Sequence, residues 1–147
     1  MLHAKIIDAS KEKIDILKAE KFLSSSSFGA TIYFVGTVRD INENKKVTGI
    51  TYDSKDTMVI KSFEKIYKES NTKLKIKDKA VFIEHVKGYL DTKEKSIIIG
   101  VGCRHRDEAY NLSRFIIEEI KKRTPIWKKE HYNNEESEWL KGVSIQL

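Results

Sequence analysis

Between residues 59 and 67 apolar side chains return every three to four positions: Val59, Phe63 and Ile66, widened by Ile60 and Tyr67. That rhythm predicts one buried face of a helix. A second helix is predicted from Arg106 to Lys122, with Ala109, Leu112, Phe115, Ile116 and Ile120 as its stripe. Asp107 and Glu108 suit its positive N-terminal end, and Thr124-Pro125 stops it. A shorter, charged helix is expected from Lys11 to Leu23, burying Ile14, Leu17 and Phe22. β-formers dominate residues 4–8, 30–38, 47–52, 80–85, 96–102 and 126–132, which read as strands. Gly36, inside the second of these, signals a bulge or a close backbone approach. Residues 24–29 and 40–46 read as loops, and an acidic loop with Glu135, Glu136 and Glu138 leads to Trp139. Strands and helices mix without regular alternation and no repeat is present, so the expected class is α+β, in a single domain over 1–147.

Composition narrows the function classes. The chain is 39% hydrophobic and 34% charged, and six Phe, six Tyr and two Trp can anchor a core. Twenty-eight Lys and Arg against 22 Asp and Glu leave +6, which implies an anionic partner. No apolar run is long enough to span a membrane, and the start lacks the layout of a signal peptide. Cys103 is the only cysteine, and His3, His85, His105 and His131 have no metal-ligand spacing. The expectation is a cytoplasmic, metal-free protein with no resident cofactor.

Three places can carry chemistry. Residues 121–130 hold five cations and one anion, four of the six net positive charges. Their bland use is to complement a helix C-terminus in solvent. The second lysine pair, Lys128-Lys129, argues for more, because crowded ammonium groups depress one another's pKa and a neutral lysine is a base or nucleophile. Arg39, at a strand exit after Gly36-Thr37-Val38, offers a fork for phosphate or carboxylate, unless it pairs with Asp40 or Glu43. Arg104-His105-Arg106 sits where a helix begins, an anion-binding position or simply a solvated turn. A Cys103/His105 nucleophile pair is the weaker reading, since a cysteine ending a strand is normally packed. If Arg106 to Lys121 is one helix, its ends lie about 22 Å apart, so His105 and Arg106 cannot line one small pocket with Lys121 in a single copy. They serve separate sites or a pocket shared between two copies.

At these residues the sequence resembles the large, catalytic subunits of molybdopterin synthase. The resemblance runs through Gly29-Ala30, Phe34-Val35-Gly36-Thr37-Val38-Arg39-Asp40, Tyr52, Met58, and His85 with Gly88. It continues through His105-Arg106-Asp107-Glu108-Ala109, the string from Lys121 to Glu130, and Trp139, roughly residues 29 to 142 in order. The lysine string is its most specific part. The resemblance implies an α+β fold of α/β-hammerhead type and a sulfurtransferase of molybdenum cofactor biosynthesis. In that family sulfur passes from the C-terminal thiocarboxylate of a small ubiquitin-like partner to cyclic pyranopterin monophosphate. Large subunits dimerise within a heterotetramer.

By the same resemblance Lys121 and Lys128 are the catalytic lysines. Thr37, Val38, Arg39, His105, Arg106, Lys129 and Glu130 join them in binding the pterin, with His105 and Arg106 contributed across the dimer. Phe34 and Pro125 line the channel for the partner's tail. Two positions depart from the family: Val86 stands where an arginine is usual, with Lys87 as a substitute cation, and Arg104 replaces a small or neutral residue. The alternatives are a basic nucleic-acid-binding module and an inactive scaffold that only binds the partner. The basic residues form pocket-sized groups rather than a stripe, which favours a small anion and a protein partner over nucleic acid.

Overall fold

The computed structural model describes residues 1–133 and the backbone of 138–139. In chain order the elements are β1 (Leu2–Asp8), α1 (Ile16–Phe22), β2 (Ala30–Thr37), β3 (Ile41–Asn42), β4 (Lys45–Ser54) and α2 (Asp56–Lys73). Then come β5 (Lys79–Asp91), β6 (Lys95–Cys103), α3 (Arg106–Arg123), β7 (Ile126–Tyr132) and β8 (Glu138–Trp139). The sheet runs β2-β6-β5-β4-β7-β8, with β3 beside β4 and β1 beside β5. Among the described residues only the β1–β5 pairing is parallel. The class is α+β, as the mixed pattern predicts.

The core forms where the two helical stripes meet the sheet. Val59, Phe63 and Ile66 of α2 and Ala109, Leu112, Ile116 and Ile120 of α3 are fully buried. α3 packs on β6 and β2, and α2 packs on β1 and α3. In β6 Ile97, Ile98, Ile99 and Val101 are all buried, so this strand is covered on both faces and its run is continuously apolar. Burying each such side chain contributes about 1.5–3 kcal/mol.

β5 changes partners along its length. Residues 81–87 pair with β1, and residues 88–91 pair with β4. Gly88 stands at the changeover with φ +111°, and a Cβ there would lie 3.3 Å from that of Ala9. At that φ any side chain is strained, and the Ala9 methyl would also have to give by a few tenths of an ångström. Beyond this joint β4, β7 and β8 form a wing, and the candidate site lies where the wing meets β2.

Three expectations need correction. α1 begins at Ile16, capped by the Asp15 carboxylate, which accepts from the Leu17 N–H. In so short a helix Ala19 and then Leu23 face the core, and Leu17 is 69% exposed. Residues 40–46 are not simply a loop: they include β3 and the start of β4, joined through Glu43 and Asn44, both at positive φ. β5 is also longer than residues 80–85. The register shift between Gly36 and Thr37 is the bulge that Gly36 signals. Glu135 and Glu136 of the expected acidic loop lie outside the described residues.

Candidate active site

β7 pairs with β4 so that Lys128 stands opposite Tyr52 and Glu130 opposite Ile50. Alternate residues of a strand share a face, so Lys128 and Glu130 point the same way. They face a cavity of about 210 Å³ whose wall also includes Phe34, Thr37, Arg39, Asn42 and Tyr52. Sequence residues more than ninety positions apart thus converge: the exit of β2, the β3–β4 hairpin and the middle of β7.

Lys128 is the chemically distinctive group. Burial, which disfavours its charged form, pulls its pKa down to about 8. The Glu130 carboxylate opposes this, while the charges of Arg39 and Lys121 push the same way as burial. Crowding of cations therefore contributes as the sequence predicts, but desolvation comes first. Arg39 is exposed and makes no ion pair among the described residues, so its fork is open to a ligand.

Glu130 is 3% exposed, and the Asn42 side-chain amide donates to both of its oxygens, at 2.9 and 3.1 Å. Burial pushes the Tyr52 phenol up, keeping it neutral. Behind Tyr52, edge-on at 5.0 Å, sits His85. This imidazole is wholly buried, its Nδ1 donates to the Val86 carbonyl at 2.7 Å, and its pKa falls to about 4. It is a neutral packing partner behind the wall rather than part of the wall.

The other sequence candidates divide between the neighbourhood of this cavity and the far end of α3. Val38 is buried, and its backbone is tied to the β5–β6 turn by two hydrogen bonds: Lys93 N–H to its carbonyl, and its own N–H to the Glu94 carbonyl. Those bonds fix the start of the segment that carries Arg39. Lys121 reaches the site through its charge, from the last turn of α3. Pro125 and Lys129 are outside the cavity wall, Lys129 on the opposite face of β7. His105 and Arg106 are exposed at the other end of α3, about 22 Å of helix from Lys121. Within one copy they are not brought to the cavity.

The departures are absorbed locally. Val86 is core, 2% exposed, and Lys87 pairs with Asp56 at 3.5 Å. Arg104 bonds Asp78 at 2.9 Å, so its charge is directed away from the cavity. Cys103 is fully buried, with its thiol pushed up to about 11 by burial, which removes the nucleophile reading. Asn42 was missed, because a polar residue inside an apparent loop carries no pattern.

No helix of the described residues is long and apolar enough to cross a membrane. No group of three His, Cys, Asp or Glu among them is placed to hold a metal.

The family model described as MoaE protein matches residues 9–123. The chain belongs to the MoaE family. It is 36% identical over 136 residues to the molybdopterin synthase catalytic subunit of Synechococcus elongatus, covering 92% of this chain and 82% of that one. It is 37% identical over 131 residues to the corresponding subunit of Pyrococcus abyssi, covering 89% and 86%. Its fold matches the crystal structure of molybdopterin synthase from Staphylococcus aureus with a TM-score of 0.85 at 29% identity, over 93% and 96% of the two chains. It also matches a chain in the complex of subunits 1 and 2 of the molybdopterin-converting factor of Helicobacter pylori, with a TM-score of 0.74 at 26% identity, over 96% and 92%.

Proposed function

We propose that this chain is the catalytic subunit of a molybdopterin synthase, acting in the cytoplasm on cyclic pyranopterin monophosphate with a small thiocarboxylated partner. The observation that carries the reading is Lys128: a lysine on the cavity wall with its pKa near neutrality, facing the same space as Arg39. Sulfur arrives already activated on the partner's terminal glycine, so the chain needs no thiol of its own, in keeping with buried Cys103.

Each residue then has a physical task. Arg39 presents a planar fork to the substrate phosphate. Thr37 and Val38 hold the strand exit that aims it. As the thiocarboxylate sulfur displaces an oxygen substituent of the pterin, the partner's glycine is left joined to it as a thioester; neutral Lys128, about a tenth of the total at pH 7, takes the proton of the water that cleaves this thioester, releasing the glycine carboxylate and leaving the sulfur on the pterin. Lys121 stabilises the oxyanions that develop in those steps. Glu130 limits how far Lys128 loses its charge. Phe34 on the cavity wall, with Pro125 immediately before β7, provides apolar surface for the partner's tail.

His105 and Arg106 enter from a second copy, giving a dimer of these chains within a heterotetramer. Reconstitution with thiocarboxylated partner and cyclic pterin tests the activity, and failure to form dithiolene under those conditions overturns it. Co-expressing Lys128→Ala and His105→Ala copies tests the sharing. Random pairing restores about a quarter of the sites if His105 serves its neighbour's cavity, and none if it serves its own.

A further inference from the structure

The β3–β4 hairpin contributes one side chain to the buried polar part of the site. Asn42 crosses from the hairpin to Glu130 on β7 and engages both carboxylate oxygens through one amide nitrogen. Glu130 and Lys128 are two residues apart on the same face of β7, within reach of a direct ion pair. They do not form one: no Lys128–Glu130 contact within salt-bridge distance occurs among the described residues, although the carboxylate's charge is felt at the amine. The carboxylate's lone pairs are turned to the hairpin instead.

We propose that Asn42 is a positioning residue of the active site, holding Glu130 away from Lys128 so that the lysine is not locked into an ion pair. Its amide is neutral, so it satisfies a buried carboxylate without adding charge to the cavity. Removing it frees Glu130 to turn toward its only cationic neighbour on the same strand face. The other charged groups facing Lys128 are Arg39, after β2, and Lys121, on α3; the Tyr52 phenol on β4 faces it as a neutral group. None of these is touched by the change. The inference rests on Lys128 being the reactive lysine, but its test does not need turnover.

Competitive acetylation of the full chain with acetic anhydride, from about pH 6 to 10, reads the titration of Lys128 by peptide mass spectrometry. In the unsubstituted protein the midpoint is expected at about 8. Asn42→Ala should raise it by about one pH unit, and Asn42→Asp, the same size without the donor, should raise it at least as far. In a Glu130→Gln background Asn42→Ala should leave the midpoint where Glu130→Gln alone puts it, since there is no carboxylate left to release. With thiocarboxylated partner and cyclic pterin, the alkaline rise of kcat should move with the labelling midpoint. An unchanged midpoint in folded Asn42→Ala or Asn42→Asp overturns the proposal, as does an equal shift in the Glu130→Gln background. If labelling behaves as expected and no variant makes dithiolene, the function reading fails and the positioning role stands.

Discussion

On the α3 side of Pro125, Lys122 and Arg123 are tied to carboxylates. Arg123 grips Glu69 of α2 with two parallel hydrogen bonds of 2.9 and 2.8 Å and also reaches Glu119 at 3.4 Å. Lys122 pairs with Glu119 at 3.4 Å. On the β7 side, Lys128 has no such partner and faces the cavity, where burial rather than pairing sets its charge. The two sides are neighbours in one basic string, yet on one Arg123 staples α3 to α2 and on the other Lys128 is left for chemistry. Charge density in a sequence thus marks where to look, and the carboxylates brought by other elements decide which cations remain available.

The largest effect should come from Lys128. Lys128→Ala should lower kcat by about 10²–10⁴-fold in the reconstituted reaction, the usual range for a proton-transfer group. Lys128→Arg, which keeps the charge but cannot give up its proton near neutrality, should be nearly as poor. In the unsubstituted enzyme kcat should rise with pH as Lys128 loses its proton and level off above about 8. A rate that is flat from pH 6 to 9 would remove Lys128 as the base. Arg39→Ala comes next, raising KM for the phosphorylated pterin about 10–100-fold, the worth of a charge-assisted bond to phosphate.

The stapled half should answer in stability. Arg123 holds the Glu69 carboxyl down to about 2 from its usual 4.5. A carboxyl with a depressed folded pKa stabilises the fold above its unfolded value and loses that contribution as pH falls toward the folded one. Acid unfolding of Arg123→Ala should therefore be less steep between about pH 4.5 and 2, and its stability at pH 7 lower by about 1 kcal/mol, since the pair is partly solvated. Denaturant melts at several pH values measure both. Activity per folded molecule should be unaffected.

What the sequence made legible follows the reach of its patterns. α2 and α3 were readable because their apolar residues repeat within one element, and the roughly 22 Å between Arg106 and Lys121 follows from helix length alone. Gly36, a single residue in a run of β-formers, signalled either a bulge or a close backbone approach, and the register shift decides for the bulge. The β3–β4 hairpin was not, because β3 has two residues and its turn places Glu43 and Asn44 at positive φ without a glycine. With the hairpin went Asn42 and the buried state of Glu130. Arg123 could not be told from Lys128 either, since the distinction is made by Glu69, 54 residues away, and by the pairing of β7 with β4.

Lys122 gives the smallest and most discriminating effect. It lies between Lys121 and Arg123, and in the sequence nothing separates it from residues assigned to catalysis. In the structure its side chain is 69% exposed and its carboxylate partner is one turn away on the same helix. An exposed pair of this kind contributes under about 0.5 kcal/mol, and its removal leaves no buried charge behind. Lys122→Ala should therefore change neither the melting midpoint nor kcat/KM beyond about twofold, even though it removes one of five cations in the string. If general positive charge around residues 121–130 drew the anionic substrate, Lys122→Ala would instead weaken activity in step with salt, as any other lysine of the string would. A steep, salt-dependent loss would dissolve the division between stapled and reactive cations. An unchanged enzyme assigns the string's chemistry to where its charges are aimed rather than to how many there are.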